Sequence, residues 1–181
     1  YKLTESIQSL IERYLGLSVS IGISQPFVDM QQAAKAYGDG IEALRHRIKL
    51  GKGVITPYSS LHAAGKPPML YEYPGSAEHE LIDAVKTADR DAAHRALADW
   101  VDAVVRKMQS PSDYQISLMR LLNRILTLKQ ESGIGFDQLG IRRDTLYQEL
   151  LDLQMSEEIE GWFRDRLIVP LLRVFGERRD S

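Results

Sequence analysis

The stretch SVSIGISQPF, residues 18–27, alternates Val19, Ile21 and Ile23 with Ser18, Ser20 and Gly22. That period of two describes a strand with one apolar face and one face of small residues, which Pro26 then stops. A glycine in mid-strand, here Gly22, marks a bulge or the close approach of another backbone. Upstream, Leu3, Ile7, Leu10, Ile11 and Leu15 recur at helical spacing, so one amphipathic helix precedes the strand and Gly16 ends it. Downstream, a helix is predicted from about Asp29 to Leu50. Ala33, Ala36, Tyr37, Ile41, Leu44 and Ile48 form its inward face, and Gly51 and Gly53 close it. VITPY (54–58) reads as a second short strand. Helix, strand, helix, strand is half of an α/β layer. Two short strands do not make a stable sheet alone, so further strands or a second molecule are expected to complete it.

The next stretch changes character. SSLHAAGKPPML (59–70) is polar, aperiodic and carries paired prolines, and residues 59–74 are read as an inter-domain linker between a first domain at 1–58 and a second at 75–181. The second domain is expected to be wholly helical, which makes the fold class α+β and predominantly helical. Ser76 is placed as the cap of a helix holding Leu81, Ile82 and Val85. Asp89 is placed as the cap of the next, whose face is Ala93, Leu97, Trp100, Val101, Val104, Val105 and Met108. In SPSD (110–113), Ser110 serves as cap, Pro111 as first helical residue and Asp113 as first-turn acid. The helix that follows is apolar nearly all round, from Ile116 to Leu128, as suits a helix packed on several sides. A shorter helix near Asp144–Gln154 and a final one opened by Ser156 complete the chain. In that last helix Ile159, Phe163, Leu167, Leu171 and Phe175 lie four apart, Trp162 and Val169 flank them, and Pro170 predicts a kink near Arg166–Pro170.

The bulk composition sets limits. The 181 residues are 44% hydrophobic and 27% charged, with a net charge of −2. Residues 1–70 carry eight Lys/Arg against five Asp/Glu, and 71–181 carry fifteen against twenty, so the helical part offers no broad phosphate-binding face. There is no cysteine, which excludes disulfides, thiol chemistry and thiolate metal sites. No apolar run reaches the eighteen or so residues of a membrane span, and no signal-peptide pattern opens the chain. A soluble, cytoplasmic setting is expected, with no direct membrane contact.

These residues carry a resemblance. LSVSIGIS followed by EALRHRIKLGKGVITPY resembles the C-terminal half of a GGDEF-type, nucleotidyl-cyclase-like domain. YEYPGSAEHELIDAVKTADRDAAHRALADWV together with EEIEGWFRDRLIVPLL is similar to the helical segment of AraC-type bacterial transcriptional regulators, between a degenerate GGDEF-like domain and the helix-turn-helix pair. The resemblance implies a non-catalytic, signal-relay region of such a regulator. It implies DNA contact only through a helix-turn-helix domain beyond Ser181, and it is compatible with a membrane-anchored sensor before Tyr1. It also implies loss of cyclase chemistry. No GGDEF-like tract is present, Ile48 stands where active members carry a phosphate-facing lysine, and Ile41 stands where they carry an acid. The sheet's first strands are accordingly expected upstream of residue 1.

Other residues invite sharper readings that give way to plainer ones. GKG (51–53) after Arg45, Arg47 and Lys49 is read as cations answering a helix C-terminus rather than as a phosphate site. AAGKPP lacks the first glycine and the Ser/Thr of a phosphate loop. His46, His62, His79 and His94 show no pair at ligand spacing, so no metal and no cofactor are assigned, and no catalytic residue. Arg142–Arg143 and Arg178–Arg179 are too few to dock DNA unaided. The candidate relay or interface face is Ile159, Trp162, Phe163, Leu167 and Leu171. A homodimer paired through the open strands is expected. A helical protein–protein interaction adaptor is the alternative, and any small-molecule ligand is left unassigned.

Overall fold

A computed structural model describes residues 2–61, 71–108, 111–153 and 155–179. The chain divides into two compact units, Tyr1–Met69 and Leu70–Ser181. It is predominantly helical with one small parallel sheet.

The first unit begins with α1 (Lys2–Leu15), which Gly16 ends at φ +63° by donating to the Glu12 carbonyl at 3.0 Å. The strand β1 is shorter than the alternation suggested, Ile21–Ile23, and pairs in parallel with β2 (Ile55–Pro57) in the register Ile21↔Ile55, Gly22↔Thr56, Ile23↔Pro57. Between them the expected single helix is broken. A 3₁₀ turn at Met30–Gln32, capped by the Asp29 carboxylate on the Gln31 amide, leads into α2 (Ala33–Arg45), and a reset at His46 separates α3 (Arg47–Leu50). Tyr58 opens α4 (Tyr58–Leu61) instead of ending the strand.

Gly22 is needed for packing. A Cβ there would collide with the Gly40 carbonyl oxygen and lie 2.9 Å from Leu44 Cγ. The bare strand lets α2 settle against it. Among the described residues of this unit the buried apolar side chains are Ala36, Ala43 and Ile48, and Thr56 is buried as well. Tyr37, expected inside, is 73% exposed, while Ala43, which the periodicity passed over, is fully buried. The α1 stripe is also uncovered: Leu3, Ile7, Leu10 and Leu15 are all exposed. What ties α1 down is polar, since Gln8 Nε2 donates to the carbonyls of Val19 at 2.8 Å and Gly53 at 2.9 Å.

The second unit is a helical bundle: α5 (Gly75–Lys86), α6 (Arg90–Lys107), α7 (Pro111–Glu131), α8 (Phe136–Leu139), α9 (Leu146–Asp152), α10 (Ser156–Phe163) and α11 (Val169–Arg179). The α5/α6 hairpin turns on Ala88 at φ +54°, with the Asp89 amide donating to the Ala84 carbonyl at 2.9 Å and the Asp89 carboxylate capping α6 at the Ala92 amide. That left-handed C-terminal turn normally takes glycine. One expected cap shifts by two residues. Pro74, not Ser76, stands at the cap of α5, since its carbonyl takes the Glu78 amide and Tyr73 beside it bonds the Glu78 carboxylate. Ser156 opens α10 as expected, with Met155 at the cap position before it. The Ser110 cap and most of the linker lie outside the described residues.

The core of this unit is built from Leu81, Ile82 and Val85 of α5, Leu97, Trp100 and Val104 of α6, and Leu118, Leu121, Leu122 and Ile125 of α7. Ile159, Phe163, Leu167, Ile168, Leu171 and Leu172 from the C-terminal helices close it. Val105 of α6 is half-buried, and in α7 Ile116 is exposed, so α7 is not covered all round. Lys129 is buried. It donates to the Ile134 carbonyl at 2.7 Å and lies 3.9 Å over the Phe136 ring, so the ammonium answers the C-terminal end of α7.

Candidate relay site

The predicted face lies where α10 passes into α11. Ile159 is 2% exposed and Phe163, Leu167 and Leu171 are fully buried, while Trp162 is half-buried at the flank. The structure brings the first four together in the core of the helical unit. Between α10 and α11 the backbone makes a π turn at Arg164–Ile168, with the Val169 amide bonding the Arg164 carbonyl five residues back. Pro170 follows directly and has no N–H to give Arg166. The irregularity predicted near Arg166–Pro170 is therefore a widened turn.

Two further groups converge on Trp162. Its Nε1–H donates to Glu149 Oε2 at 3.0 Å, and Arg166 grips the same carboxylate at both oxygens, Nε to Oε2 at 3.0 Å and Nη2 to Oε1 at 2.6 Å. This two-point pair joins α9 to the π turn. Arg166 above all, with help from the Trp162 and Thr145 hydrogen bonds, holds the Glu149 carboxyl down to about 2 against the cost of its partial burial. The matching effect raises the Arg166 guanidinium above its ordinary value.

On the other side, Phe163 leads inward. It meets Trp162 edge-on at 5.2 Å between ring centroids and Trp100 at 6.0 Å, and Trp100 meets Tyr73 at 6.2 Å. Trp100 Nε1 donates to the Tyr73 hydroxyl at 3.3 Å, and that hydroxyl in turn donates to Glu78. Arg120 lies 3.8 Å over the Tyr73 ring with its Nε 3.9 Å from Glu78. Burial, then the Glu78 hydrogen bond and charge, raise the Tyr73 phenol well above its ordinary range, so it stays a neutral donor. Two residues earlier, Tyr71 shares a hydrogen bond with the buried Ser117 hydroxyl. A line of touching side chains thus runs from the start of the helical unit through its core to the π turn: Tyr73, Trp100, Phe163, Trp162, Glu149, Arg166.

Periodicity located Trp100, Trp162 and Phe163 but not their polar partners. Glu149 lies 13 and 17 residues from Trp162 and Arg166, and Tyr73 lies 27 from Trp100. No local spacing links such pairs. Of the other candidates, Ile48 is buried and Ile41 half-buried. Gly51 accepts the end of α3 at φ +92°, donating to the Arg47 carbonyl. Arg178 and Arg179 donate to the carbonyls of Ser132 and Thr87, and Arg142 pairs with Asp144. Among the described residues no group of three or more His, Asp or Glu converges as for a metal ion, and no helix is long and apolar enough to cross a membrane.

Comparison with known proteins bears on the same chain. It is 34% identical over 175 residues, 97% of its length, to the uncharacterized HTH-type transcriptional regulator YtdP of Bacillus subtilis (strain 168). The chain is homologous to part of a transcriptional regulator. It spans 22% of that relative's length. No family model matches the chain, and no solved structure does.

Proposed function

We propose that this chain is a non-catalytic signal-relay region of an AraC-type transcription factor, coupling an upstream sensor to a helix-turn-helix domain that follows it. The observation that carries this is the 34% identity across 97% of the chain to a stretch of an HTH-type transcriptional regulator. The first unit is read as the C-terminal half of a degenerate GGDEF-like domain. Its two-stranded parallel sheet with open edges and the buried Ile48 at a position expected to meet phosphate both support that reading. The helical unit is read as the relay. Its line of aromatic rings ends on a hydrogen-bonded ion pair at the last helix, and such packed chains transmit a shift only where an element has two arrangements.

The test is Trp162→Ala in the full regulator. Loss of the signal response is expected, with promoter binding and folding retained. A variant that folds and responds normally would remove Trp162 and its neighbours from the relay.

A helical adaptor is the second reading. It is favoured by an apolar groove between α7 and α9, lined by Ile116, Met119 and Leu151, with Ile116 64% exposed. Reading the gene past Ser181 separates the two, because a helix-turn-helix pair there supports the relay and a stop codon supports the adaptor.

A further inference from the structure

The C-terminal helix has an unusual period. Ile159, Phe163, Leu167 and Leu171 recur at every fourth position, and each such step overshoots an α-helical turn by about 40°. Three steps would carry the stripe about 120° round the helix and away from the core. Yet all four side chains are 2% exposed or less. The wide turn at Arg164–Ile168 reconciles them, because i→i+5 bonding underwinds the helix midway along the stripe.

The apolar residues beyond it come in pairs, Leu167–Ile168 and Leu171–Leu172, and all four are buried. Were the turn to tighten to α-helical bonding, everything after it would advance by one residue's rotation, about 100°. Leu167 and Leu171 would then fill the places of Ile168 and Leu172. Arg166 and Pro170 would swing toward the places Leu167 and Leu171 leave. Three of these four core positions stay apolar in either arrangement, and Arg166 alone brings a charge. Two features hold the wide form. Glu149 grips Arg166 at both oxygens and keeps it out of the core, and the Pro170 ring disfavours the tight form by meeting the carbonyl four residues back. The far end of α11 is anchored by exposed hydrogen bonds, Arg173 to the Gln138 carbonyl and Arg178 to that of Ser132.

We propose that Arg164–Ile168 is a register switch, wide while Glu149 holds Arg166 and tight when it lets go, which turns α11 about its axis. The proposal rests on the relay reading for its purpose and supplies the two arrangements that reading needs.

The chain lacks cysteine, so Gln148→Cys and Glu177→Cys, both at exposed positions, place a pair of spin labels on α9 and α11 alone. A single interlabel distance is expected in the parent pair and a second, populated distance when Glu149→Gln is added. Deleting Asp165 removes the extra residue of the wide turn, so it should give one distance that Glu149→Gln no longer splits. A single unchanged distance in the folded Glu149→Gln protein overturns the switch. If that variant does not fold, Arg166→Lys, which keeps the charge and loses the two-point grip, is read in the same way. Signal uncoupling by Trp162→Ala together with one unmoved distance would leave the relay standing and sink the switch.

Discussion

Glu149 shows how one carboxylate can set the behaviour of a helix end. Its ordinary value is 4.5, and the bonds from Arg166 and Trp162 bring it to about 2 in the folded chain. A depressed acid stabilises the fold at pH values above its unfolded value, and that contribution is lost as pH falls through the window between about 4.5 and 2. The pair is partly solvated, with Arg166 42% exposed, so we expect about 1–2 kcal/mol at neutral pH rather than the full shift. Urea melts at pH 7 and pH 3 should therefore show the parent chain losing its advantage over Glu149→Gln at the lower pH. Equal differences at both would mean that the carboxylate's charge does not stabilise the fold. Nothing in the local sequence marks Glu149 for this role, because its partners come from α10 and the wide turn, 13 and 17 residues further on.

Among the elements, β1 and α2 depend on one missing side chain. Gly22→Ala should destabilise the first unit by about 1–3 kcal/mol, because the added methyl meets the Gly40 backbone as well as the Leu44 side chain and the helix cannot yield without leaving the sheet. A two-dimensional NMR spectrum should show shifts or broadening confined to residues 1–61 while the helical unit is unchanged. Intact β1 and α2 signals with unaltered stability would refute the close approach. The mid-strand glycine announced this contact. The break at His46 was hidden, since Arg45, Arg47 and Lys49 are all good helix formers. The every-fourth-residue stripe of the last helix was also visible, but only a kink at Pro170 was expected there, and the wide turn at Arg164–Ile168 emerged with the structure.

Across the full chain, the two units differ in how much they bury. The helical unit has a continuous core around the fully buried Trp100, Phe163, Leu121 and Leu122. Among its described residues the first unit buries only Ala36, Ala43 and Ile48 as apolar side chains and leaves Leu3, Leu10, Leu15, Leu17 and Val28 exposed. Hydrogen exchange should accordingly protect α5, α6, α7 and α10 most strongly, with α1 and the two strands exchanging faster. The open strand edges should also recruit a second copy, giving dimers by light scattering. A monomer whose residues 1–58 are fully protected would contradict both expectations.

Hydrophobic period, glycine placement and the Asp89 cap were enough to foresee a mainly helical α+β chain that starts helix, strand, helix, strand, because each rests on contacts within a turn or two of the backbone. The Glu149–Arg166 grip, the line of rings from Tyr73 to Trp162 and the uncovered stripe of α1 came from folding in three dimensions. Those features depend on side chains far apart in sequence meeting, or failing to meet, once the helices are packed, and no local spacing carries that information.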